Sequence, residues 1–266
     1  MASFTAKEVA ELRKRTGAGI LDCRKALEET DGDIEKAEQW LREKGKISAG
    51  KRADRERAEG AVALVVDGHV GAIVALECET DFVAKSAEFV QMVDELAAEL
   101  AAGGDAALEA QRDRVEKLAV TLKENIAVGR TKRFEAPDGS VIGSYLHIQN
   151  GRGVNAVLVE LAGGSQELAH DIAVHVAFTR PEYLRREDVP ADVVAAERQT
   201  VETIARNEGK PDAAIAKIIE GRLNGWFKER CLLEQPYVRD EKTTIAGLLS
   251  DGDVKLSRFA QVVVGS

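Results

Sequence analysis

Apolar residues recur at helical spacing through residues 3–45. Val9 and Leu12 mark one helix, Ile20, Leu21 and Leu27 with the small Cys23 and Ala26 a second, and Ile34, Ala37, Trp40 and Leu41 a third. Thr5-Ala6-Lys7-Glu8 has the form of a capping box, and Gly17 is placed to end the first helix. Thr30-Asp31-Gly32-Asp33 separates the second helix from the third, and Gly45 closes the run. The pattern predicts a small three-helix bundle, marginal on its own.

At Gly60 the period changes. Residues 61–66 and 70–76 are apolar runs rich in β-branched side chains, separated by Asp67-Gly68, a strong hairpin signal. Phe89, Met92, Val93, Leu96 and Leu100 then predict an amphipathic helix, and after a loop at Gly103-Gly104 a further helix is expected over 106–128. A second hairpin follows over 141–148 and 154–161, turning at Asn150-Gly151, with a helix over 166–178. Two hairpin-then-helix units suggest an internal duplication, each a sheet with helices on one side, and the fold class is α+β. Residues 193–207 and 213–226 read as an antiparallel helical arm turning at Gly209-Lys210-Pro211, with Ile204, Ile215, Ile218 and Leu223 as its apolar positions. A short helix over 244–249 and a last strand over 254–264, joining the second sheet, complete the expectation.

Between the first hairpin and its helix stands Cys78-Glu79-Thr80-Asp81-Phe82-Val83-Ala84-Lys85, a strand-to-helix turn in which Thr80 or Asp81 is suited to cap the helix. An aromatic at that point either staples the turn to its own core or projects outward as a plug for another protein. The corresponding turn of the second unit, Ala162-Gly163-Gly164-Ser165, has neither acid nor aromatic, which moves Phe82 towards a functional role.

Composition narrows the chemistry. Of 266 residues, 44% are hydrophobic and 31% charged, as in ordinary globular proteins, and no apolar run approaches the ~20 residues of a membrane helix. The N-terminal residues lack a basic segment followed by an apolar core, so a secretory signal is not expected. Cys23, Cys78 and Cys231 are odd in number and lack metal-ligand spacing, which fits reduced thiols in a cytoplasm. A net charge of −9 and an aromatic content of 5% argue against general affinity for nucleic acid. The basic run over 44–57 has interspersed acids and reads as a linker or solvated helix; an RNA- or ribosome-associated role through it is the alternative function. No phosphate-cradling glycine loop occurs. His170 and His175 lie five apart, not at zinc-binding spacing. Glu77, Glu79 and Asp81 lack a nearby histidine or nucleophile, so a metal-dependent enzyme is a weaker reading. No cofactor or metal is expected.

The run Arg15-Thr16-Gly17-Ala18-Gly19-Ile20-Leu21-Asp22-Cys23-Arg24-Lys25-Ala26-Leu27 resembles the N-terminal signature of bacterial elongation factor Ts, the nucleotide exchange factor for elongation factor Tu. Thr80-Asp81-Phe82-Val83-Ala84 resembles the central signature of that family, and Glu220-Gly221-Arg222 with Gln235-Pro236-Tyr237-Val238 its later segment. The resemblance implies a ubiquitin-associated-like three-helix domain over 1–53, a core subdomain over 54–138, and a second built from 139–179 and 230–266. Residues 180–229 would be an inserted helical hairpin used in dimerisation. It further implies a protein with no covalent chemistry of its own, which inserts Asp81 and Phe82, flanked by Thr80 and Val83, near the magnesium site of the partner GTPase. Leu12, Ile20 and Leu21 would grip the same GTPase domain, while His147 and Val238 touch another domain of elongation factor Tu. A homodimer or a heterotetramer with the partner, without stable nucleic acid or membrane, is the assembly implied.

Overall fold

The computed structural model describes residues 4–50, 52, 54–250, 252 and 254–265, with the backbone alone for 46–50. The basic run over 44–57 therefore lies partly outside the described residues. At the N-terminus, α1 (Ala6–Thr16), α2 (Ile20–Glu29) and α3 (Ile34–Gly50) form the expected bundle. Thr5 caps α1 reciprocally with Glu8, and the helix stops at Gly17, whose left-handed φ of 68° suits glycine. Leu12, Cys23, Ala26, Leu27 and Ala37 fill the core, and Val9, Ile34, Trp40 and Leu41 pack around it. Contrary to expectation, α3 runs through Gly45. The glycine there is a seat: a Cβ would stand 2.5 Å from the side chain of Val120.

The first sheet contains β1 (Glu59–Asp67), β2 (Val70–Cys78) and β3 (Ala127–Glu135), antiparallel in that order. Strand β3 corrects the helix expected over 106–128. Helix α5 (Ala87–Glu109) kinks at Gly104, α6 (Arg112–Leu122) ends at Lys123 in the left-handed region, and the chain becomes extended. Alternation explains the change: in Ala127-Val128-Gly129-Arg130-Thr131-Lys132-Arg133-Phe134, half-buried and exposed positions alternate and only Phe134 is buried, so apolar periodicity is nearly absent. A short helix, α4 (Asp81–Ala84), lies between β2 and α5.

The second sheet repeats the topology. Strands β4 (Ser140–Gln149) and β5 (Arg152–Ala162) form a hairpin, α7 (Gln166–Thr179) follows, and β8 (Lys255–Val263) returns beside β5. Each unit is thus hairpin, helical connection, then a third strand against the second, a closer parallel than the hairpins alone revealed. One face of each sheet packs on its own helices. Ala61, Ala63, Val74 and Leu76 meet Phe89, Leu96 and Leu100; Val157, Val159 and Leu161 meet Ile172 and Val176. The opposite faces meet each other through Val62, Ile73, Phe134, Ala156, Leu158 and Val262. The layers therefore run helix, sheet, sheet, helix. Gly153 allows this approach, since a Cβ there would lie 2.1 Å from the carbonyl oxygen of Val62.

Between α7 and β8 the chain forms an antiparallel pair, α8 (Ala191–Asn207) and α9 (Asp212–Arg230). Val201, Ile215, Ile219 and Leu223 close on one another, while Ile204 stays 42% exposed. A two-stranded ribbon, β6 (Pro236–Tyr237) with β7 (Asp240–Thr244), and α10 (Ile245–Ser250) then lead into β8. The ribbon has no counterpart in the sequence reading, because two residues are too few to show a period. Among the described residues no helix is long and apolar enough to cross a membrane.

Candidate functional site

Strand β2 is buried along most of its length and delivers Cys78 into the core. The Cys78 thiol, pushed up to about 12 by burial, donates to the Thr80 carbonyl at 3.2 Å. Thr80 then caps α4, accepting from the Val83 amide, while Val83 packs partly and Ala84 wholly into the core. With both neighbours anchored inward, the intervening ring of Phe82 points out and is 84% exposed. Exposing an aromatic ring forgoes about 1.5–3 kcal/mol of burial. A staple would have recovered that energy, so the staple reading does not fit this geometry.

The turn is clasped from a distance. One carboxylate oxygen of Glu124 accepts from the amides of Glu79 and Thr80 at 3.0 and 3.1 Å, and the other accepts from the Thr80 hydroxyl. The Glu79 carboxylate in turn accepts from the Asn125 amide at 2.7 Å, which holds its ionisation below the ordinary glutamate range, and it pairs with Arg55. The Asn125 side chain donates to the Arg55 carbonyl at 2.7 Å. Sequence reasoning missed Glu124 and Asn125. They stand more than forty residues from the turn they hold and belong to no motif of their own.

Asp81 pairs with Lys85 one helical turn on, and that hydrogen bond lowers its carboxyl pKa. Glu77 pairs with Arg57, so the three acids have three different basic partners. Among the described residues no group of three His, Cys, Asp or Glu is placed to hold a metal ion.

Ile20 and Leu21, in the first turn of α2, are 55% and 77% exposed. Leu12 differs. It has no exposed surface and lies among Cys23, Ala26 and Leu27, so contact with a partner would require opening the bundle, and its role is to set the face that carries Ile20 and Leu21. The bundle rests on the end of α6: Gly45 against Val120, Gly17 against Thr121, and Asp22 paired with Lys123 at 3.4 Å. The next residues, Glu124 and Asn125, clasp the Phe82 turn. Segment 120–125 thus touches both the bundle that carries Ile20 and Leu21 and the turn that carries Phe82.

His147 and Val238 belong to the second unit. His147 is exposed at the end of β4 beside Ile148, itself 63% exposed, and its ring stacks on Tyr145. Val238 is half-buried; its amide donates to Nδ1 of the fully buried His175 at 3.3 Å, and Nε2 of that ring meets the Gln235 side-chain oxygen at 3.0 Å. His175 is a core residue whose pKa burial depresses, whereas His170 is exposed against the Ser144 carbonyl.

Two family models match the chain: "Elongation factor TS" over residues 79–266 and "Elongation factor Ts, mitochondrial, N-terminal" over residues 1–49. The chain is 42% identical over 278 aligned positions to "Elongation factor Ts" of Kineococcus radiotolerans, covering 100% of both. It is 44% identical to the proteins of that name from Acidothermus cellulolyticus and Mycobacterium marinum, covering all of this chain and 99% of each relative. With matching models at both ends and relatives aligned over the full length, the chain belongs to the elongation factor Ts family of translation elongation factors.

Proposed function

We propose that this chain promotes release of GDP from elongation factor Tu and its replacement by GTP. It does so by presenting Asp81 and Phe82 to the GTPase domain near the magnesium and nucleotide. The observation that carries the reading is Phe82, 84% exposed at a turn whose other residues are capped, clasped or buried. A ring already held outward loses little conformational freedom on insertion, so most of its burial energy is available to favour a partner conformation with disturbed magnesium and phosphate contacts. The effect is negative linkage: the factor lowers nucleotide affinity, nucleotide lowers the affinity of the factor equally, and neither is consumed. No covalent step is involved.

Ile20 and Leu21 supply a second contact with the same domain, from a three-helix unit of the ubiquitin-associated kind over 1–53. The two sheet units, 54–138 and 139–179 with 230–266, form the core, and His147 with Val238 meets another domain of elongation factor Tu. The arm over 180–229 provides a surface for a homodimer or heterotetramer. The setting is the cytoplasm. The test is release of fluorescently labelled GDP from purified elongation factor Tu: substoichiometric chain accelerates release, Phe82→Ala abolishes most of the acceleration, and absence of acceleration by the unaltered chain refutes the proposal.

A further inference from the structure

Among the described residues, strand β8 is the outer strand of its sheet, with β5 on one side and no strand on the other. The Val264 amide donates to the Val154 carbonyl, so by the alternation of an antiparallel ladder the amides and carbonyls of Phe259 and Gln261 point away from β5. They face a cleft of about 640 Å³ between β8, Arg130 of β3 and the loop after α7. That loop does not fill the ladder. Its Glu182 and Tyr183 amides donate to the Arg230 carbonyl instead. Arg130, Arg180, Arg185 and Arg258 line the cleft, Arg130 donating to the Val263 carbonyl of β8, Arg185 paired with Asp188 and Arg258 with Glu160, and the lining is net positive in a chain whose net charge is −9.

We infer that this cleft binds an extended acidic peptide segment of another protein, which adds to the open edge of β8 as a further strand. A row of outward amides and carbonyls is matched by another main chain, and the net positive lining, with Arg180 exposed, favours carboxylates along it. The surface is separate from Phe82 and independent of the exchange reading.

The probe is a fluorescein-labelled octapeptide alternating glutamate with valine, followed by anisotropy, with the lysine–valine counterpart and a uridine oligonucleotide as comparisons. The acidic peptide binds, the Arg180→Glu/Arg185→Glu chain binds it at least about tenfold more weakly, and N-methylation of alternate amides along the peptide removes binding. Nuclear magnetic resonance shows slowed amide exchange at Phe259 and Gln261 in the complex, a readout that general charge attraction would leave unmoved. Circular dichroism melting verifies that the double variant is folded; were it not, Arg180→Ala alone, at an exposed position, carries the comparison. Equal binding of the lysine peptide, preference for the oligonucleotide, unchanged exchange at β8, or no binding at all overturns the inference.

Discussion

Replacing Glu124 by glutamine tests whether the clasp matters because of Phe82. The carboxylate accepts three hydrogen bonds, from two amides and the Thr80 hydroxyl. A charged acceptor contributes about 1.5–3 kcal/mol per bond and a neutral one about 0.5–1.5, so the isosteric change costs roughly 1 kcal/mol for each bond kept and more for a bond lost. The turn is partly exposed, and water replaces part of the lost interaction; the net local loss is about 1–2 kcal/mol. If the clasp holds Phe82 in the inserting pose, that loss appears in exchange as a roughly fivefold to thirtyfold slower GDP release at subsaturating factor. Glu124→Gln, Phe82→Ala and the double variant form a cycle, read by stopped-flow release of labelled GDP. Once the ring is gone the clasp aims only Asp81, so the double variant falls well short of additive and lies close to Phe82→Ala alone. Additive losses would refute the reasoning and make Glu124 a contact or a general stabiliser.

Three further outcomes follow from the packing. Gly45→Ala improves intrinsic helix propensity by about 1 kcal/mol but drives a methyl group to 2.5 Å from Val120, so it weakens binding of elongation factor Tu, and adding Val120→Ala restores it; calorimetric titration of the single and double variants decides. His175 is buried with its pKa below the ordinary 6.5, so the unfolded chain takes up a proton first: stability is full above about pH 6.5 and declines below it towards the folded-state pKa. Urea unfolding of His175→Gln across that window shows lower stability but a flatter dependence on pH. Cys23, Cys78 and Cys231 are all buried, with the Cys78 and Cys231 thiols raised to about 12 and about 11, so a disulfide reagent at pH 8 leaves the native chain unmodified and titrates three thiols in denaturant.

Much of this organisation is legible in the sequence because it rests on local chemistry. The capping box at Thr5, the Asn150-Gly151 turn and the apolar periods of α5 and β5 each lie within a few residues of the feature they specify. Strand β3 was hidden for a physical reason. It is an outer strand, its middle is Arg130-Thr131-Lys132-Arg133, and the helical pattern before it gives no stop stronger than Lys123. Leu12 shows the reverse difficulty: its helical spacing marks it as apolar and cannot say whether the apolar face is turned inward. The Phe82 turn was conspicuous, because the second unit lacks it, but Glu124 and Asn125 were not. A clasp made by backbone amides leaves no residue pattern at the clasped end.

The most direct test of the central claim is the rate of GDP release from elongation factor Tu with catalytic amounts of the unaltered chain and of Phe82→Ala, alongside urea unfolding of both. Removing a ring that is 84% exposed changes the stability of the chain by less than about 0.5 kcal/mol, whereas loss of an inserted aromatic costs about 2–4 kcal/mol at the partner, a roughly thirtyfold to thousandfold slower exchange. Equal acceleration by both proteins, or a loss of exchange matched by a loss of folding stability, would contradict the account.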